Sequence, residues 1–441
     1  MRSRLPKVLH TLGGRPMLAY VVDAAREATG GRPLVVYSPA TAQIRDAFSD
    51  QADLALQDEP RGTGDAVRAA LEAIPAGTEE IVVLNGDLPF VTSGLISELL
   101  AARREAAAVM ALVWTESEPR QYGRVVLDGA GDVDRIVEYK DATDEERAIR
   151  SWNAGLYVFD VAWLRGSLGR LSASGTTGEV YLTGLVEVAR SDQHPVIGVE
   201  GRDPTLLEGL DDRTQFPQAE RDLQDRILRG HMSAGVTIRD DRSAFIDATV
   251  EIAEDVTLEP DVTLKGTTRI GRDTIIKSGS YVVDSVIGER CTIWASVIED
   301  AVVEDDVRVG PFSHLRPGAH IGRGSEIGNF AEVKKASLGP GTRQHHFSYI
   351  GDAQVGARVN IGAGTITANY DGRGKHHTRI GDDAFIGSDT ILRAPVEIGE
   401  GAVTGAGSVV TRDVPPGKLA VGMPARIRER RLPADPPEGP G

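Results

Sequence analysis

The sequence predicts two fold classes in one chain: an α/β half with Rossmann-like alternation, then a parallel β-helix built from six-residue repeats. Three observations carry this. Between residues 33 and 114, apolar runs alternate with helical stretches, the grammar of strands covered by helices. From residue 252 onward, aliphatic residues recur six apart. The chain has 441 residues, more than a single core usually holds.

In the first half, "PLVVYS" (33–38) reads as a strand and 41–49 as a helix. "DLAL" (53–56) is the next strand, and 64–74 the next helix. "EIVVLNGD" (80–87) is the strongest strand pattern, followed by a helix at 93–104 and the apolar run "AAVMALVW" (107–114). Strands spaced by helices predict a largely parallel sheet. Residues 214–230 predict a connecting helix. Pro217 suits its first turn, Gly230 its C′ position, and Leu223, Ile227 and Leu228 share one face.

The repeat runs Ile252, Leu258, Leu264, Ile270, Ile276, Val282. It resumes as Val303, Val309, Leu315, Ile321, Ile327, Val333, and again as Ile380, Ile386, Leu392, Ile398. A helix cannot hold a period of six on one face, whereas a three-sided prism of flat sheets can, with one apolar residue per hexad turned inward. At about 18 residues per coil the region makes roughly eight or nine coils. The repeat is interrupted at "GAGTITANYDGRGKHHTR" (362–379), which predicts an external loop carrying binding groups. The tail "RLPADPPEGPG" is rich in proline and glycine and is expected to be disordered. The domains are therefore expected at 1–212, 213–232 (a linker helix) and 233–441.

A net charge of −16 argues against a nucleic-acid binder, whose footprint is basic. The lone Cys291 excludes an intramolecular disulfide and fits a reducing cytoplasm; inside the repeat it reads as a small core residue. There is no apolar leader and no run approaching the ~18 residues of a membrane span. A cytoplasmic protein with no membrane partner is expected.

Several stretches carry candidate chemistry. "VLNGDLP" (83–89) ends a strand on Asp87, where α/β sheets bind ligands and where a carboxylate could hold Mg²⁺; "NGD" is equally turn chemistry. "QDEPRGTGDA" (57–66) sets Gly-Thr-Gly before a helix, which serves either a ligand or a plain capping turn. In the repeat, Arg316, Lys334 and Lys335 suggest an anionic ligand, and a histidine of "HHFSYIGD" suits proton removal from an amine. Charged side chains facing water on the prism surface are the alternative.

In order, "LPKVLHTLGGRPML", "QDEPRGTGDA", "NGDLP", "QYGRVV", "IVEYKDAT", "WNAGLYVF" and "EGLDDR" resemble the bacterial sugar-nucleotide pyrophosphorylases. With the hexads behind them, the chain resembles the bifunctional N-acetylglucosamine-1-phosphate uridylyltransferases/glucosamine-1-phosphate N-acetyltransferases over nearly its whole length. The resemblance implies an α/β Rossmann-like nucleotidyltransferase domain plus a C-terminal left-handed parallel β-helix of hexapeptide repeats. It implies acetyl transfer from acetyl-CoA to glucosamine 1-phosphate, then uridylyl transfer from UTP, giving UDP-N-acetylglucosamine for cell-wall synthesis. By the same resemblance Lys7 contacts the UTP phosphates, and Gln57, Gly62 and Thr63 hold the uracil. Asn85, Gly86 and Asp87 line the sugar-nucleotide and metal site. Gly123, Glu138 and Asn153 bind the sugar, and Asp87 with Asp211 holds Mg²⁺. In the repeat, His346 is the general base and His345 a surface neighbour. Arg316, Lys334, Tyr349 and Asn360 hold the sugar phosphate; Ala363, Asn369, Tyr370, Ser388 and Gly405 line the acetyl-CoA site. A homotrimer with its acetyl-transfer sites between subunits is implied.

Four departures from the family pattern stand out. Asp211 replaces an asparagine, and Gly184 in "GEVYLTG" replaces an aspartate. Near the end, "LAVGMPARIRER" has an ordinary hexapeptide-transferase form, and Arg426, Arg428, Arg430 and Arg431 either meet CoA phosphates or form a solvated basic tail. Finally, Met1 matches the last residue of the family's L-x-x-G-x-G-T-R-M loop. The triphosphate-wrapping glycines are then expected upstream of an assigned start that is too late; if they are truly lost, only acetyl transfer remains.

Overall fold

The computed structural model describes residues 3–117 and 120–429. Met1, Arg430, Arg431 and the tail beyond them lie outside the described residues. Two compact units meet at Ala219/Glu220.

In the first unit the expected strands form at Leu34–Tyr37, Asp53–Leu56, Glu80–Leu84 and Met110–Glu116, and helices at Gln43–Phe48, Thr63–Leu71 and Ser93–Glu105. The sheet is mixed rather than largely parallel. Its axis is the ten-residue strand Ser151–Asp160, which runs antiparallel to Glu80–Leu84, to Met110–Glu116 and to Arg124–Leu127. The physical reason lies at 124–137. Arg124–Leu127 and Val133–Val137 are joined by five residues, too short for a helical crossover, so they pair as a hairpin. The small sheet of Leu34–Tyr37 and Asp53–Leu56, and the pair of Val196–Glu200 with Met110–Glu116, keep the parallel sense. Ile96, Leu99, Leu112, Leu156 and Val158 are buried between sheet and helices.

The helix Phe216–Ser233 has Pro217 in its first turn as expected, but it runs through Gly230. Gly230 is therefore an interior residue rather than the C′ glycine; Gly235, at φ +97°, follows the end instead. Within the second unit, Gln224 binds both backbone groups of Ile246, at 2.9 and 3.0 Å, fastening the helix to the first coil.

The second unit is a solenoid of three sheets, of twelve, ten and nine strands. Within the three sheets the described pairings are parallel except the terminal hairpin Leu419–Gly422/Ala425–Arg428. The ten-stranded sheet gives more coils than the eight or nine expected, because the solenoid begins at Thr237–Ile238 and Phe245–Ile246, ahead of Ile252, and several steps are shorter than six residues. The inward series continues from Val282 through Ile287, Ile293, Ile298 and Val303, so a coil there needs 16 or 17 residues. Down the first sheet the inward column reads Leu258, Ile276, Ile293, Val309, Ile327, Gln344, Ile361, Ile386. Coil corners turn through the left-handed region, at Asp255, Asp273, Asp306, Asp383 and Asp389 among others, a conformation that aspartate tolerates better than most side chains. Buried Ser and Thr hydroxyls close the corner carbonyls, as in Thr274 to Gly288 at 2.8 Å and Thr342 to Gly356 at 2.9 Å. Cys291 is buried, as expected of a core residue.

Candidate functional sites

In the first unit Pro6 starts a short 3₁₀ turn, Lys7–Leu9. The turn brings the Lys7 ammonium to two carboxylates: Nζ donates to Asp87, just past the strand Glu80–Leu84, and to Asp211 Oδ1 at 3.0 Å. Burial works to lower the Lys7 pKa, but the two ion pairs outweigh it and hold it above the ordinary lysine value. Two carboxylates converging on one cation are the donor set for Mg²⁺, which takes one or two carboxylates and completes its shell with water and substrate phosphate oxygens. Among the described residues no group of three or more His, Cys, Asp or Glu offers a fuller cage.

A cavity of about 270 Å³ opens beside this pair, lined by Lys7, Tyr37, Ser38, Gln57 and Gly86 among others. The Gln57 amide donates to the Gly62 carbonyl at 3.2 Å and to Asp65 at 3.1 Å, tying the Gly-Thr-Gly turn to the cavity wall. That turn braces the 180–182 segment. Gly62 sits at φ +115°, and a Cβ there would lie 2.5 Å from the Val180 carbonyl oxygen. Thr63 Oγ1 accepts from Leu182 N–H at 3.0 Å.

Gly123, Glu138 and Asn153 also come together. The Gly123 carbonyl accepts from Asn153 N–H at 2.9 Å, and Thr183 Oγ1 donates to Glu138 at 2.8 Å. Burial pushes the Glu138 carboxyl above its usual range, against the Thr183 hydrogen bond. Gly155 links the two asparagines: its N–H donates to Asn153 Oδ1 at 3.2 Å, and its carbonyl accepts from Asn85 N–H at 3.3 Å. A second cavity of about 480 Å³ opens on Glu138 and is lined also by Arg170, Tyr181, Thr183 and Gly184. Gly155 and Thr183 lie within the motifs "WNAGLYVF" and "GEVYLTG" but were not singled out as site residues; their roles rest on contacts with Asn85, Asn153 and Glu138 that sequence spacing does not show.

In the solenoid, Arg316, Lys334 and Tyr349 stand on adjacent strands of the ten-stranded sheet. Arg316 pairs with Glu332 at 2.7 Å. The interrupting segment folds back as a small hairpin, with Tyr370 bridged to Lys375. It is held by His376 on Asp371 at 2.7 Å. It delivers Lys375 against Lys334. That contact, with Arg316 adding to it, pushes the Lys334 pKa below the ordinary lysine value. Three cations facing one another with too few carboxylates set up a positive potential that an anion would relieve. Lys375 was missed because hexad spacing says nothing about where an insertion lands.

Asn369 is bound inside this cluster, donating to Asp352 at 2.5 Å and Tyr349 Oη at 3.3 Å. Asn360 stands on the neighbouring twelve-stranded sheet. His346 occupies the corner between those two sheets, after Arg343–Gln344 and before Ser348–Gly351, and it is exposed. Successive coils place Ala363 and Ser388 at the same corner. The backbone ties the column together: Gly364 N–H to Phe347 O at 2.7 Å, Asp389 N–H to Ala363 O at 2.6 Å, Gly407 N–H to Ser388 O at 2.8 Å. Gly405 enters the corner one coil further on. Tyr370 is exposed on the hairpin, and His345 pairs with Glu326 at 2.8 Å on the prism surface.

The MobA-like NTP transferase domain family matches residues 1–215, and bacterial transferase hexapeptide repeats match 300–335 and 377–412. A bifunctional protein GlmU of Trichlorobacter lovleyi is 42% identical over 97% of this chain and 94% of its own length. One from Heliobacterium modesticaldum is 42% identical over 96% and 92%, and one from Streptococcus equi subsp. zooepidemicus 40% identical over 99% and 96%. The chain belongs to the GlmU family. The solenoid is accordingly the left-handed β-helix of hexapeptide transferases, behind a nucleotidyltransferase unit. As a GlmU the chain is a bifunctional transferase that makes UDP-N-acetylglucosamine in two steps. Acetyl transfer alone is not favoured, since the nucleotidyltransferase match extends over the whole first unit.

Proposed function

We propose that residues 1–212 carry uridylyl transfer, 213–232 link, and 233–441 carry acetyl transfer, with the residues named above in the following roles. In the solenoid, Arg316, Lys334 and Lys375 take the phosphate of glucosamine 1-phosphate, with Tyr349 and Asn360 orienting the sugar. Acetyl-CoA lies along the corner of Ala363, Ser388 and Gly405, with Asn369 and Tyr370 at its side. His346 removes a proton from the 2-amino group as its nitrogen attacks the thioester carbonyl. The C–S bond then breaks, and the thiolate leaves as free CoA.

In the first unit the 1-phosphate oxygen of N-acetylglucosamine 1-phosphate attacks the α-phosphorus of UTP and pyrophosphate leaves. Such a transfer needs positioning and charge neutralisation more than covalent help. Lys7 faces the phosphates, and Gln57 with the Gly62–Thr63 turn and Gly86 shapes the nucleoside cavity. Asn85, Gly123, Glu138 and Asn153 hold the sugar. Mg²⁺ held by Asp87 and Asp211 would neutralise phosphate charge.

No helix among the described residues is long and apolar enough to cross a membrane, and the single buried thiol accords with a cytoplasmic protein. Hexapeptide solenoids associate through their flat faces, and a homotrimer is the assembly we propose.

The observation that carries the acetyl-transfer reading is the Arg316–Lys334–Lys375 cluster on the sheet that adjoins the His346 corner. With acetyl-CoA and glucosamine 1-phosphate the chain should release CoA thiol, and His346→Ala should lose about 10²–10⁴-fold in rate. Full activity in His346→Ala would remove the base assignment.

A further inference from the structure

Gln344 is an exception inside the prism. It occupies the inward column of the twelve-stranded sheet, in register between Ile327 and Ile361, and it is fully buried. Its Oε1 has no hydrogen-bond partner. A buried amide with an unpaired acceptor costs stability that an aliphatic side chain at this place would not, so the fold alone does not account for it.

Its other amide atom is engaged. Gln344 Nε2 donates to Ser348 Oγ at 2.9 Å, and Ser348 Oγ donates to the His346 carbonyl at 2.8 Å. A serine has one hydroxyl proton. Because that proton goes to His346, Ser348 Oγ can only accept from Gln344, which fixes the amide with its N–H toward the serine. The turn 345–347 also meets both neighbouring coils. Phe347 O accepts from Gly364 N–H of the next coil. From the coil before, Gly328 leaves room that a side chain would take, since a Cβ there would lie 2.1 Å from the His345 carbonyl oxygen. Among the described residues, the Gln344–Ser348 link alone hydrogen-bonds the His346 carbonyl, and it does so from inside the prism.

We propose that Gln344, through Ser348, is a positioning residue for His346: it fixes the backbone from which the general base reaches the amine. The inference rests on the reading of His346 as the base. Reactions of this kind tolerate little displacement, since a shift of about 1 Å can cost ~10²-fold in rate.

The test uses the full chain, with CoA-thiol release and thermal unfolding as readouts. Gln344→Leu, which continues the aliphatic column, should lower kcat for acetyl transfer by roughly 10- to 100-fold. KM for both substrates should stay within about twofold, and Tm should be unchanged or higher. Ser348→Ala should lose kcat to a similar extent, and the double variant should lose no more than the worse single one. Wild-type kcat in Gln344→Leu overturns the proposal. So does a fall in kcat accompanied by a lower Tm and raised KM, which marks a merely structural role. If Gln344→Leu does not fold, wild-type kcat in Ser348→Ala overturns it equally. His346→Ala separates the two readings: full activity there means the base assignment fails. Lost activity there with full activity in Gln344→Leu means that only the positioning inference fails.

Discussion

Lys7 Nζ lies 3.0 Å from Asp211 Oδ1, across 204 residues of chain, and closes a triangle with Asp87. On the metal assignment proposed above, Mg²⁺ would be held by the same two carboxylates that Lys7 pairs with, and the two cations would compete for them.

Lys7→Met should consequently bind Mg²⁺ at least as tightly as the wild type, and Asp87→Asn should bind it more weakly. Titration calorimetry with MgCl₂ alone reads both. Weaker Mg²⁺ binding in Lys7→Met would show that the two carboxylates are not the metal pair.

Lys375→Ala should raise KM for glucosamine 1-phosphate by about tenfold with kcat little changed, an effect that shrinks as ionic strength rises. The pH dependence has a sign as well. With its pKa pushed down by Lys375 and Arg316, Lys334 loses its charge at a lower pH than an isolated lysine. Phosphate binding should weaken correspondingly early on the alkaline side, and Lys375→Ala should move that limb upward.

Glu138 is raised by burial, so its ionisation opposes folding. A carboxyl with a raised folded-state pKa contributes stability below the unfolded value, and the contribution disappears as pH rises through the folded one. At neutral pH, Glu138→Gln should therefore unfold at a higher temperature than the wild type, by about 2–4 °C per kcal/mol regained. It should also bind N-acetylglucosamine 1-phosphate less well. Differential scanning calorimetry at pH 4 and pH 7 reads the first effect, which should vanish at the lower pH.

Cys291 is buried, and burial pushes its thiol up to about 11, so it should not react with Ellman's reagent in the folded chain. One thiol per chain should appear only on denaturation. Thiol released during acetyl transfer then reports CoA alone.

The repeat was legible because a period of six has one structural meaning, and the burial of Leu258, Ile276, Val309, Ile327, Leu392 and Ile398 follows from it. Coil number was underestimated because the solenoid begins at Thr237, ahead of the first counted hexad, and because several steps near Ile287 and Ile298 are five residues long. In the first unit the strands that open and close apolar runs were placed well. The mixed sheet was not, because the hairpin 124–137 contains charged and polar residues that hide its strands. Asp87 was legible as a carboxylate at a strand end, but its partners Lys7 and Asp211 were reached only through family resemblance, since no local spacing ties them to it. Lys375 and Thr183 depend on where an insertion and a loop fold back. Gln344 carried no sequence signal, because the hexad series has a gap between Val333 and Ile380.

The corner that carries His346, Ala363 and Ser388 advances by one inter-strand spacing, about 4.8 Å, with every turn of the solenoid. It is a ruler graduated in coils. If acetyl-CoA lies along this corner as proposed, the reach of its extended arm is set by how many turns separate His346 from Gly405, not by any single side chain. Inserting or deleting one coil would then shift the thioester by one graduation.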